Sequence, residues 1–155
     1  MKWKRCQGSY QWKYEENSFN VTFTHTFNNF NSQTDTAYFA WTYPFSFQES
    51  LNQTKKLVKK YIEHPDIYIH REVLYYSRER RPMEMITFSS REKISDEREE
   101  LMDGLFPEAY GNPETRPFKF DKPTIFISSR VHPGETPASF VLTGIWKFLT
   151  NEKSA

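Results

Sequence analysis

Cysteine is nearly missing from this sequence: Cys6 stands alone among 155 residues. No intrachain disulfide framework is possible, and a reducing compartment is expected. Glycine is scarce, at five residues, and no Gly-rich loop of the kind that cradles phosphate is present. No apolar run approaches the ~20 residues of a membrane-crossing helix. The segment Met1 to Gln7 holds no apolar signal core. Neither sign of charge dominates, because 21 Lys and Arg meet 20 Asp and Glu. That balance calls for neither nucleic acid nor a membrane surface as a partner. Two glycosylation-type triplets, Asn20-Val21-Thr22 and Asn52-Gln53-Thr54, read as chance without a signal peptide. A cytoplasmic monomer is the expectation.

Apolar residues make up only 37% of the chain, but 17% are aromatic, and each aromatic buries a large area. Residues 10–43 read as aromatic β structure. Val21, Phe23, His25 and Phe27 alternate with threonines, the period of a half-buried strand. A polar turn separates them from a second aromatic run, Ala37 to Tyr43, which predicts a hairpin. Pro44 blocks continuation, and Ser46 with Glu49 forms a capping-box pair that opens a helix. Leu51, Leu57, Val58 and Tyr61 give this helix its apolar stripe, and Pro65 closes it.

Beyond the helix, strands and helices alternate. Ile67 to Tyr76 and Met83 to Phe88 predict paired strands joined by a charged turn. Ser95 to Phe106 predicts a short acidic helix, and Pro107 to Pro123 a connector with four prolines. Thr124 to Ile127 is apolar on both faces and predicts a strand inside a covered sheet. A helix at 137–150 carries Phe140, Val141, Ile145, Phe148 and Leu149 on one broad face. The change in character divides the chain into residues 1–45 and residues 46–155. Its fold class is α+β or α/β.

Between the last strand and helix lies a turn carrying His132 and Glu135. An imidazole and a carboxylate at the end of a strand can ligate zinc, with Gly134 allowing a bend and Thr136 as the helix cap before Pro137. The spacing His-x-x-Glu occurs often by chance, and its plainer reading is a turn histidine and a glutamate favoured by the helix N-terminus. The other histidines offer no third ligand: His25 and His70 lie within strands and His64 precedes Pro65. Only 20 residues, none a histidine, follow Glu135.

The run Arg130-Val131-His132-Pro133-Gly134-Glu135-Thr136-Pro137, with Ser139-Phe140-Val141 after it, resembles the first zinc motif of the cytosolic carboxypeptidases. These enzymes belong to the metallocarboxypeptidase superfamily. Tyr43-Pro44-Phe45-Ser46, His70-Arg71-Glu72-Val73-Leu74, Leu105-Phe106-Pro107 and Arg116-Pro117-Phe118 match in order and spacing, so the resemblance covers nearly the whole chain. Looser relatives of the superfamily, such as aspartoacylases, tend to carry His-Gly-x-Glu, whereas Pro133 precedes Gly134 here.

The resemblance implies the end of an N-terminal antiparallel β-sandwich domain over 1–45. It implies the first part of a mixed-sheet α/β zinc carboxypeptidase domain over 46–155. It further implies one Zn2+ held by His132 and Glu135, and hydrolysis of C-terminal or branch-point glutamates on tubulin or other polyglutamylated proteins. A cytoskeletal or nuclear association would follow from such substrates. The family's third zinc ligand, substrate-gripping arginines and catalytic glutamate have no counterpart in these residues. No catalytic residue is therefore expected within this chain, which reads as a partial copy, inactive alone.

A second reading treats the chain as a non-catalytic module. Lys55, Lys56, Lys59 and Lys60 recur at helical spacing and make one basic face. The usual fate of such a face is solvation. Its alternative use is attraction to the acidic tails of tubulin or another acidic partner.

Overall fold

The computed structural model describes residues 3–150. The chain separates into two compact units, Met1–Pro44 and Phe45–Ala155. Among the described residues the architecture is α+β: two helices and three small antiparallel sheets of two strands each.

The first unit is built on a hairpin of β1 (Tyr10–Glu15) and β2 (Ser18–Phe23). Cross-strand partners Tyr10–Phe23, Trp12–Val21 and Tyr14–Phe19 place the apolar side chains on one face. The predicted hairpin differs: β2 ends at Phe23, and Ala37 to Tyr43 forms no strand. Closing a two-residue turn at Glu16 and Asn17 costs less chain entropy than closing the longer Asn28 to Thr36 loop. The second aromatic run contributes side chains instead. Phe39 meets Phe23 with ring centroids at 5.2 Å, and Trp41 lies edge-on to Phe19 at 6.2 Å.

The second unit begins with α1 (Phe47–Tyr61). The Ser46 hydroxyl accepts the Glu49 amide at 3.0 Å, as a capping residue should. Next come β3 (Ile67–Tyr76) and β4 (Pro82–Ser90), paired antiparallel with an irregularity between Val73 and Tyr75. The period-two pattern splits β3 into two faces. Ile69, Arg71 and Val73 share the face on which α1 packs, where Tyr61 meets Phe88 edge-on at 6.1 Å. On this face Glu84 accepts the Thr54 hydroxyl at 2.5 Å and the Arg71 Nε at 2.6 Å, joining helix to sheet.

Tyr68, His70 and Glu72 alternate onto the opposite face, which the 98–120 segment covers. Tyr68 accepts the Phe118 amide at 3.0 Å. Glu72 pairs with Arg116, and the Arg116 guanidinium lies 3.4 Å from the centre of the Phe106 ring. Tyr61, Tyr68, Ile69, Val73 and Phe106 form much of the small core.

Ser95 to Phe106 is not a helix. Ile94–Arg98 forms β5 and pairs with β6 (Phe118–Phe120). Ser95 Oγ accepts the Glu97 amide at 3.0 Å, a local bond that competes with helix formation. Arg98 then stacks on the Phe118 ring at 3.6 Å and donates to the Arg116 carbonyl at 2.9 Å. The proline-rich connector contains two single 3-10 turns, Pro107–Ala109 and Pro113–Thr115.

The apolar run at Thr124 to Ile127 forms no strand. Ile125 is 83% exposed and Phe126 74% exposed. A strand needs a neighbour for its backbone groups, and no described strand pairs with this segment. Helix α2 (Thr136–Leu149) follows, with Phe140, Val141, Phe148 and Leu149 exposed on the face predicted to be buried.

Candidate metal centre

The turn ahead of α2 is closed by main-chain bonds. The Glu135 amide donates to the His132 carbonyl at 3.1 Å, and the Thr136 amide to the Gly134 carbonyl at 3.0 Å. His132 and Glu135 therefore leave one short turn, and both side chains are exposed. Pro137 takes an early helical position, as its missing N–H favours. The helix cap is Glu135, not Thr136: Thr136 is already the first helical residue and is buried. Gly134 has no positive φ, and an added Cβ there would meet open space. The bend does not depend on glycine.

Arg130 anchors this turn, a role that its place in the sequence motif did not disclose. Its φ of 64° is left-handed. Its Nε donates to the Pro133 carbonyl at 2.9 Å, and another guanidinium nitrogen donates to the Phe45 carbonyl at 2.9 Å. An arginine early in a turn is the only sequence signal for such a tie. Beside the turn, an open cleft of about 390 Å³ is lined by Ile127, Val131, Glu135, Ala138, Leu142 and Ile145, among others.

Imidazole nitrogen and carboxylate oxygen are both zinc donors, so the pair fits the implied Zn2+ in kind. Among the described residues, no three His, Cys, Asp or Glu side chains stand together to hold a metal. The pair is two donors of the usual three. His64 lies tilted against Tyr61, with ring centroids 5.7 Å apart. His25 packs edge-on to Phe27 at 4.8 Å in the first unit.

His70 lies in a different environment, on the covered face of β3. Its ring is parallel to Tyr68 with centroids 6.4 Å apart, and its Nε2 is buried without a hydrogen-bond partner. Burial holds its pKa below the ordinary value, and the Arg98 and Arg116 charges push the same way against a hydrogen bond to the Thr115 backbone. Burial also raises the Glu72 pKa, opposed by the charge and hydrogen bond of Arg116. These groups hold the sheet's far face together and lie on the core strand, away from the turn's motif.

A closed turn presenting imidazole and carboxylate is a donor pair of the kind that zinc hydrolases use. Over 157 aligned residues the chain is 34% identical to cytosolic carboxypeptidase-like protein 5 of Bos taurus, covering 96% of this chain and 17% of that protein. The Danio rerio protein of the same name is 32% identical over 163 residues, covering 98% of this chain and 18% of the relative. Cytosolic carboxypeptidase 6 of Mus musculus is 31% identical over 123 residues, or 79% of this chain and 18% of the relative. No family profile matches. The chain belongs to the cytosolic carboxypeptidase family, and it spans less than a fifth of the length of these curated relatives. No described helix is long and apolar enough to cross a membrane.

Proposed function

We propose that this chain forms part of a zinc metallocarboxypeptidase, in which His132 and Glu135 are two of the three protein ligands to one Zn2+. Residues 1–45 are then the end of a β-sandwich domain, and residues 46–155 the first part of the catalytic α/β domain. The observation that carries this reading is the closed His132–Glu135 turn within a chain alignable along 96% of its length to a protein named as a carboxypeptidase relative. Bound zinc supplies Lewis-acid polarisation of a scissile carbonyl and of its attacking water. His132 contributes a neutral imidazole nitrogen, and Glu135 a carboxylate oxygen from the N-terminal end of α2, where backbone amides favour negative charge.

The substrate class we assign is C-terminal or branch-point glutamate on tubulin or another polyglutamylated protein. With no third ligand grouped with this pair among the described residues, the chain alone is inactive in this reading. The test is a chimera in which this chain replaces the aligned stretch of the Bos taurus cytosolic carboxypeptidase-like protein 5. It should release glutamate from a glutamylated tubulin-tail peptide, and His132→Ala should abolish release. A chimera equally active with His132→Ala would sink the assignment.

One observation favours a second reading. Lys55, Lys56, Lys59 and Lys60 are all exposed along α1, so the chain could act as a non-catalytic module that binds an acidic partner. Salt-sensitive retention on immobilised tubulin-tail peptide, lost when these four lysines become glutamine, would support it. Retention insensitive to salt would remove it.

A further inference from the structure

Arg130 occupies a backbone conformation that a side-chain-bearing residue adopts at a cost, with φ at 64°. The bonds its guanidinium makes account for the tolerance. Nε holds the Pro133 carbonyl at 2.9 Å, within the turn itself. One terminal nitrogen holds the Phe45 carbonyl at 2.9 Å and lies 3.5 Å from Ser139 Oγ. Phe45 is buried and sets its ring edge-on to Phe140 at 5.1 Å. A single planar cation therefore links three separate pieces: the turn between His132 and Glu135, the residue preceding the Ser46 cap of α1, and the first turn of α2.

We propose that Arg130 is the positioning residue of the metal-binding turn, fixing the backbone from which His132 and Glu135 reach a shared ion. The inference rests on the zinc reading above. Guanidinium suits the task because its donors lie in one rigid plane and it stays protonated at every working pH. Lysine offers a point charge that cannot hold the Pro133 and Phe45 carbonyls in the same geometry. Groups that orient metal ligands in this way contribute to metal affinity without touching the metal.

The test compares the chain with its Arg130→Gly, Arg130→Lys and His132→Ala variants. Glycine removes the donors while accepting the left-handed backbone, so it isolates the guanidinium. Two quantities are read by NMR: amide exchange at Glu135 in metal-free protein, and the midpoint of a Zn2+ titration. Arg130→Gly should speed Glu135 exchange and raise the zinc midpoint, each by about tenfold. Exchange in β3 should not change, and Arg130→Lys should fall between. His132→Ala should lose the zinc response and keep slow Glu135 exchange.

If His132→Ala loses zinc while Arg130→Gly keeps the parent midpoint, Arg130 has no positioning role and the zinc reading survives. If neither the parent chain nor the chimera that supplies the remaining ligand shows a zinc response at His132, the zinc reading itself fails. Equal acceleration of exchange in β3 would make Arg130 a general structural tie and overturn the proposal. Should Arg130→Gly not fold, Arg130→Lys and Ser139→Ala carry the same comparison.

Discussion

The amide of Glu135 donates to the carbonyl of His132 at 3.1 Å, which sets an imidazole and a carboxylate on one closed turn. The residue between them that looks most necessary, Gly134, has neither a positive φ nor a crowded Cβ position. Gly134→Ala should therefore leave thermal stability and the zinc midpoint close to those of the parent. A rise of tenfold in that midpoint would show that the turn needs a conformation only glycine reaches.

Glu72 and Arg116 form a buried ion pair, with side chains 8% and 4% exposed. Removing one partner strands the other charge away from water. Arg116→Met should cost about 3–5 kcal/mol of folding free energy, while Glu72→Met with Arg116→Met should recover most of that loss. Chemical denaturation of the three variants measures both. A single-variant cost under about 1 kcal/mol would show that water reaches the pair.

His70 gives the fold a dependence on pH. Burial, reinforced by Arg98 and Arg116, lowers its folded pKa from an ordinary 6.5. Below that value the unfolded chain takes up a proton that the folded chain refuses, so stability falls as pH drops. Glu72 works in the opposite sense. Its folded pKa is raised above 4.5, so its destabilising effect is present at high pH and is relieved as pH falls through the raised value. His70→Gln should reduce the loss of denaturation midpoint between neutral pH and the region just below 6.5. An unchanged profile in that variant would remove His70 as the cause.

Phe148 is 82% exposed on α2. Phe148→Lys should change folding free energy by no more than about 0.5 kcal/mol. Like the exposed Ile125 and Phe126, this ring is apolar surface of the kind that favours self-association. The variant should therefore bind less hydrophobic dye and stay monomeric at higher concentration, as read by light scattering. A large loss of stability would place the ring in a packed core.

Elements with strong local punctuation were legible from the residues alone. Ser46 caps α1, and Pro82 and the charged turn before it define the β3–β4 hairpin. The turn carrying His132 and Glu135 was legible for the same reason, because Pro133 and Pro137 fix its surroundings. Segments decided by non-local pairing were not. Ile94–Arg98 found Phe118–Phe120 across a long connector, while Thr124 to Ile127 has a strand's composition and no pairing partner. The Arg130 link to Phe45 spans 85 residues, a separation that no local pattern encodes.

The most direct measurement is calorimetric titration of Zn2+ into the chimera that supplies the remaining ligand, and into its His132→Ala and Glu135→Ala variants. Saturable binding of one zinc per chain, weakened in both variants, is the predicted result. Binding of equal strength in all three proteins would contradict the assignment of that turn to the metal.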